Sequence, residues 1–154
     1  MPISSLPGGH GIGSLGKPAH DFVDFLVKAG QTIWQILPVG PTGYADSPYQ
    51  SCSAFAGNPY FIDLDLLAAD GLLTKKDYAN INWGGDAARV DYGTLYEKRF
   101  TVLRKAYHNF LKQRPVPGYD TPYPDDWYRF QFLSSDWLPD YCLYMAIKEE
   151  NGMV

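Results

Sequence analysis

Apolar residues at Phe22, Phe25, Leu26 and Ala29 recur at helical spacing, with Pro18 suited to a first helical turn and Gly30 to the stop. Thr32 to Leu37 (TIWQIL) follows, a β-branched and aromatic run ending at Pro38, which predicts a buried strand. Ahead of the helix, Pro2 to Leu6 has the composition of a short strand or its end. Pro7 to Gly16 is a loop with five glycines. Strand, glycine loop, helix, strand is a βαβ unit, which implies a parallel sheet.

After Pro38 the rhythm changes. Val39 to Pro59 is a long loop rich in Gly, Pro, Ser and Tyr, and Tyr60 to Leu64 (YFIDL) reads as a short extended segment. A helical turn through Leu66, Leu67 and Ala68 is expected next. From Gly93 to Gln113 the residues Tyr96, Phe100, Leu103, Tyr107 and Phe110 step by 4, 3, 4 and 3. They predict one face of a long amphipathic helix, with Glu97, Lys98, Arg104, Lys105 and Lys112 in solvent. Arg114 to Asp126 carries four prolines and reads as a connector. Asp136 is expected to cap a last helix whose inner side holds Trp137, Tyr141, Tyr144, Met145 and Ile147, and Gly152 to end it. A parallel sheet needs both faces covered and further strands beside it. The two readings are therefore a small α+β domain and part of a larger barrel with a helical insertion.

Charge narrows the partners. Lys plus Arg number 13 against 17 Asp plus Glu, a net charge of −4. Nucleic-acid binding needs a basic surface, and membrane-surface binding needs a polybasic run; neither is present. No apolar stretch reaches the roughly 20 residues of a membrane span. Cys52 and Cys142 form no metal or CxxC spacing, which points to a reducing cytoplasm. His10, His20 and His108 lie far apart in sequence, so no metal site is expected. Aromatics make up 16% of the chain, with 12 Tyr, against 19% charged residues. Such rings either fill a core or present apolar faces to sugars.

Candidate chemistry is sparse. Gly11-Ile12-Gly13-Ser14-Leu15-Gly16 fits GxGxxG, but the helix starts after its last glycine, and no acidic residue ends the second strand to take ribose hydroxyls. Asp63 with Asp65, and Asp125 with Asp126, are possible acid/base pairs, yet carboxylates near a helix start more simply cap it. Ser47, Ser51, Ser53 and Cys52 have no neighbouring base. The segment Gly40 to Ser51 is more informative. It follows a strand, where parallel folds bind ligands, and combines two tyrosines with Asp, Ser, Gln and Thr that can hydrogen-bond hydroxyls.

Read whole, Gly40 to Leu64 (GPTGYADSPYQSCSAFAGNPYFIDL) resembles the signature of the amylomaltase, or 4-α-glucanotransferase, family. Pro2-Ile3-Ser4-Ser5-Leu6-Pro7, Gly11-Ile12-Gly13, Trp34-Gln35-Ile36-Leu37-Pro38, Val90-Asp91-Tyr92 and Trp137-Leu138-Pro139-Asp140-Tyr141 match in order. The resemblance implies an α/β fold, part of a (β/α)₈ barrel. Residues 1–64 would open the barrel and carry its first two strands, with a substrate-side loop at 39–59; residues 65–154 would be a mainly helical insertion. It implies retaining transfer of α-1,4-glucan segments between malto-oligosaccharides or starch, without a cofactor or metal. The nucleophile, acid/base and stabilising carboxylates of the family sit on later strands and match no position here. What carries over is Tyr49 beside the donor sugar, Asp46 and Ser47 shaping its loop, and Tyr44 and Tyr96 as more distant glucan contacts. Ala45 stands where the family favours Gly, which would strain the loop if positive φ is required there. Cys52 stands where an aromatic is common. A barrel of this class takes about 250 to more than 400 residues, so the chain reads as truncated at both ends. The alternatives are a non-catalytic glucan-binding module and a dinucleotide-binding domain.

Overall fold

The computed structural model describes residues 1–86, 88–113 and 125–152. Two compact units divide the chain, Met1–Gln113 and Arg114–Val154. Helices α1 (Lys17–Lys28), α2 (Leu64–Ala69) and α3 (Tyr92–Lys112) belong to the first; α4 (Asp125–Leu133) and α5 (Leu138–Glu150) belong to the second. Among the described residues there is no strand, and the bridge Thr42–Ser51 is the sole pairing of strand type.

Both strands of the expected βαβ unit take other forms. Ile3–Ser5 is one turn of 3₁₀ helix, closed by bonds from Ser5 N to Pro2 O (3.1 Å) and Leu6 N to Ile3 O (3.0 Å). Ile3 and Leu6 are both buried. Residues three apart share a face in such a turn, whereas a strand would send them to opposite faces. Thr32 to Pro38 forms no backbone hydrogen bond with another described residue, because no neighbouring strand lies beside it. Tyr60 to Leu64 is not extended either. Pro59–Phe61 is a 3₁₀ turn started by Asn58, whose side chain accepts from Tyr60 N, and α2 follows at once.

The helices match the sequence more closely. α1 begins with Pro18 in its first turn and is followed by Gly30 at φ +71°. α3 runs almost over the expected span, but its buried stripe is Leu95, Arg99, Val102 and Ala106, one position off the expected ring stripe. Phe100 and Leu103 flank that stripe, while Tyr96 and Tyr107 are exposed. Leu95, Val102 and Ala106 pack with Ile12, Tyr60, Leu64, Leu73, Tyr78 and Trp83 in the main core. A smaller core of Ile3, Leu6 and Ala19 is covered by Phe22, Trp34 and Phe61.

In the second unit α4 starts within the stretch expected to be a connector; residues 114–124 of that stretch lie outside the described part. α5 is not capped by Asp136. Its N-cap position is Trp137, which makes no side-chain capping bond, and Pro139 sits in the first turn. Trp137, Tyr141 and Met145 form the half-buried side, but Tyr144 and Ile147 are exposed. Gly152 follows the helix at φ +71°.

Candidate functional site

The loop of residues 39–59 is tied at its neck, where Asn58 N donates to Val39 O at 2.7 Å. The Thr42–Ser51 bridge draws its middle together. The serines are spent on turns. Ser51 Oγ donates to Ser53 O, Ser53 Oγ accepts from Phe55 N and Ala56 N, and Ser47 Oγ accepts from Tyr49 N at 3.4 Å. Local side-chain bonds of this kind fix a backbone with no regular secondary structure.

At the tip, Asp46 N donates to Gly43 O at 3.1 Å, and Ala45 has φ +72°. A four-residue turn with positive φ at its third residue is type II, the turn that calls for Gly there. Ala45 therefore carries the strain that the sequence anticipated, on the order of 1 kcal/mol. Asp46 follows at φ +54°, a left-handed conformation that Asp tolerates better than most residues.

The tip divides its side chains. Tyr44 is fully exposed at 100%, and Tyr49 at 73%. Asp46 turns inward, and burial raises its carboxyl above the ordinary range. It faces Tyr60 and Tyr92. Burial first, and then the Asp46 charge with Tyr96 and Tyr92, push the Tyr60 phenol up to about 12. Tyr92 is raised by burial and by Asp46, against a hydrogen bond with Ser4. Asp46, Thr42, Asn58, Ile3 and Tyr92 surround a cavity of about 70 Å³ beneath the loop. Tyr96, one turn along α3 from Tyr92, is 53% exposed. Asp46, Ser47 and Tyr49 thus share one tip, Tyr96 stands near its inner side, and Tyr44 points into solvent.

Arg99 escaped the sequence reading, although it falls on the same stripe as Leu95 and Val102. It is 1% exposed. Its Nη2 donates to the carbonyl oxygens of Tyr60 (3.2 Å) and Ile62 (2.5 Å), and Nη1 to that of His10 (3.3 Å). The guanidinium also lies over the Trp83 ring, 5.6 Å from its centroid. Burial pushes its pKa down to about 10, against the pull of the Asp63 carboxylate. Arg99 joins the glycine loop and the base of loop 39–59 to α3, the helix that carries Tyr92 and Tyr96.

The other candidates resolve into structure. Asp63 accepts from Leu66 N at 2.9 Å and from Ser14 Oγ at 2.5 Å, capping α2. Asp65 accepts from Tyr78 Oη at 2.7 Å and contacts His10 Nε2 at 3.2 Å. The Tyr78 bond above all holds its carboxyl below the usual range. The two carboxylates serve separate partners rather than one substrate. The glycine motif is close packing rather than a phosphate cradle. A Cβ on Gly13 would lie 2.0 Å from Ile3 O, and one on Gly16 the same distance from Asp63 Oδ2. α1 begins only after Gly16. Among the described residues no three His, Cys, Asp or Glu side chains gather as metal ligands.

A roomier cavity of about 610 Å³ opens between residues 4–13 and 81–90 and contains none of the five candidates. Glycines of the two segments form part of its wall, and Trp83, its one indole, is buried in the core. Loop 39–59 carries exposed rings in Tyr44 and Tyr49 and is the stronger candidate.

Comparison with known proteins agrees along the entire chain. The 4-alpha-glucanotransferase family model matches residues 1–154. A 4-alpha-glucanotransferase of Clostridium butyricum is 51% identical over 156 residues, covering 100% of this chain and 30% of that protein. One from Thermus thermophilus is 46% identical over 149 residues, covering 97% and 28%. The structure of an amylomaltase from Streptococcus agalactiae in complex with acarbose superposes with a TM-score of 0.86 at 47% identity, covering 100% of this chain and 30% of the other. The chain thus spans about 30% of the length of these relatives. With its loop, its helices and its whole length matched, the chain belongs to the 4-alpha-glucanotransferase family.

Proposed function

We propose that this chain forms the opening part of a 4-α-glucanotransferase that moves α-1,4-glucan segments between malto-oligosaccharides or starch. The observation that carries this reading is the 51% identity to the Clostridium butyricum enzyme across the full chain, loop 39–59 included. In it, residues 1–64 open a (β/α)₈ barrel in which Thr32–Leu37 is the second strand, and residues 65–154 are the helical insertion. The substrate is a neutral sugar chain, with no nucleic acid or membrane involved. The free, exposed thiols of Cys52 and Cys142 suit the cytoplasm.

The residues here bind and shape; they do not carry out the bond exchange. Retention needs a nucleophile and an acid/base carboxyl about 5 Å apart across the sugar. Asp63 and Asp65 are committed to Ser14 and Tyr78, so neither fits that role. Tyr49 presents its ring to the donor sugar from the rigid Pro48 turn, Ser47 sets the backbone beneath it, and Asp46 holds the tip from inside. Tyr44 and Tyr96 supply outlying platforms for a longer glucan.

The test places residues 1–154 in the corresponding segment of the Clostridium butyricum enzyme and follows maltotriose disproportionation. Glucose and longer oligomers are expected. Tyr49→Ala in that chimera lowers transfer several-fold, by the roughly 1 kcal/mol of an aromatic face, while its melting temperature barely moves. A folded but inactive chimera rejects the reading, and unchanged activity in Tyr49→Ala rejects the site. Binding of maltoheptaose by the 154-residue chain, with its length unaltered and no transfer by the chimera, would favour a non-catalytic glucan-binding module.

A further inference from the structure

Ala45 and Asp46 both hold left-handed backbone at the tip of loop 39–59, at φ +72° and +54°. Such a conformation costs free energy in residues other than glycine, and it persists where surrounding contacts determine it. The exposed rings of Tyr44 and Tyr49 supply no such contact. Asp46 is half-buried between them and lines the cavity of about 70 Å³ beneath the loop. Tyr92 and Ser4 line the same cavity. Thr42 does too, but its buried hydroxyl has no hydrogen-bond partner, so the tip is not held through it.

Tyr92 is the first residue of α3. Directly before it, Asp91 accepts from Thr94 N at 3.0 Å and from Thr94 Oγ1 at 2.8 Å, which fixes the helix start. The Tyr92 ring lies 6.3 Å from that of Tyr60, tilted by 52°, and Tyr60 belongs to the main core. Cap and core thus set the ring, and its hydroxyl hydrogen-bonds with Ser4 and faces the Asp46 charge. A phenol can donate to a carboxylate, and a charged acceptor makes a stronger bond than a neutral one. We propose that Tyr92 is a positioning residue for glucan transfer: from the start of α3 its hydroxyl holds Asp46, and through Asp46 the tip that presents Tyr49. Tyr92 itself touches no sugar; it acts on the Tyr49 ring three positions beyond Asp46. The proposal rests on the reading of Tyr49 as a sugar contact of a 4-α-glucanotransferase, and adds that the helix beside the loop sets the loop's geometry.

Tyr92→Phe keeps the ring and removes the hydroxyl. In the chimera that carries residues 1–154 within the Clostridium butyricum enzyme, it is expected to lower kcat/KM for maltotriose about three- to fivefold, mostly by raising KM, with little change in melting temperature. Tyr92→Phe combined with Tyr49→Ala is expected to do no more harm than Tyr49→Ala alone, because a displaced tip matters only while it carries the ring. Tyr107→Phe, on the exposed side of the same helix, leaves kcat/KM unchanged. A wild-type rate in Tyr92→Phe, beside an active wild-type chimera, overturns the proposal. So do multiplied losses in the double variant, which would place the effect of Tyr92 elsewhere, and a loss in Tyr92→Phe that only follows unfolding. Hydrogen exchange in the same proteins separates the proposal from the reading beneath it. The tip amides that include Asp46 N, bonded to Gly43 O, and Gln50 N, bonded to Ser47 O, are expected to exchange about fivefold faster in Tyr92→Phe. Faster exchange in a chimera without transferase activity upholds the hold on the tip and rejects the transferase reading. Unchanged exchange overturns the proposal whatever the activity.

Discussion

The inner stripe of α3 and the run Thr32–Leu37 are both apolar in sequence, yet they end in opposite conditions. Leu95, Val102 and Ala106 are buried among residues drawn from positions 12 to 83 of the same chain. Ile33, Ile36 and Leu37 stay open, with backbone groups unmatched among the described residues. A helix satisfies its own backbone and needs partners on one face alone, whereas a strand needs neighbours along both edges. The same degree of apolar character thus yields a finished core in one region and an unfinished surface in the other.

The comparison breaks hardest at Arg99. Arg99→Ala strips hydrogen bonds from three backbone carbonyls and leaves a hole in the finished region. A cost of about 3 kcal/mol is expected, measured by urea denaturation at neutral pH. A loss below about 1 kcal/mol would mean that the carbonyls find water, and that the buried clamp does not organise this region. A smaller effect of opposite sign is expected at the loop tip. Ala45→Gly relieves the left-handed strain and raises stability by about 0.5–1 kcal/mol. No gain in the same denaturation experiment would place the cost elsewhere in the turn.

The smallest effect on folding belongs to the open face. Ile33→Ser changes unfolding free energy by no more than about 0.5 kcal/mol, because Ile33 is 83% exposed and has little buried surface to lose. Its consequence is expected instead in solubility, with less self-association by sedimentation velocity than the wild-type chain shows. A destabilisation of about 2 kcal/mol, the scale of a buried aliphatic side chain, would show that Ile33 is packed in solution and collapse the contrast between the regions.

How far the sequence revealed this depended on whether a pattern was local. The span of α3 was legible from its 4-3-4-3 stepping, and loop 39–59 from its turn residues. The buried side of α3 was misassigned by one position because rings dominated the pattern. Tyrosines keep a polar tip in water, and Arg99 was passed over although backbone carbonyls could satisfy it on the buried side. Ile3 and Leu6 suggested a strand by composition, but their spacing of three closes a 3₁₀ turn. α4 was missed because its dense aromatics favour neither period. Within the loop, the positive φ at Ala45 was legible through family resemblance and turn chemistry, which also single out Tyr49 as the proposed sugar contact. Arg99 was not, since its partners are carbonyls of His10, Tyr60 and Ile62, and no side chain advertises them.

Trp34 gives the open face a built-in optical reporter. Its ring lies edge-on to Phe22, with centroids 4.9 Å apart, and its Nε1 donates to Met1 O at 2.8 Å. The indole is anchored at its polar end, yet it lines the uncovered groove. An apolar partner covering the groove displaces the water around the ring while the hydrogen bond stays. Emission from Trp34 then moves to the blue without any probe being attached. With Trp83, Trp127 and Trp137 replaced by Phe, docking becomes a fluorescence titration, and iodide quenching measures how completely the groove has closed.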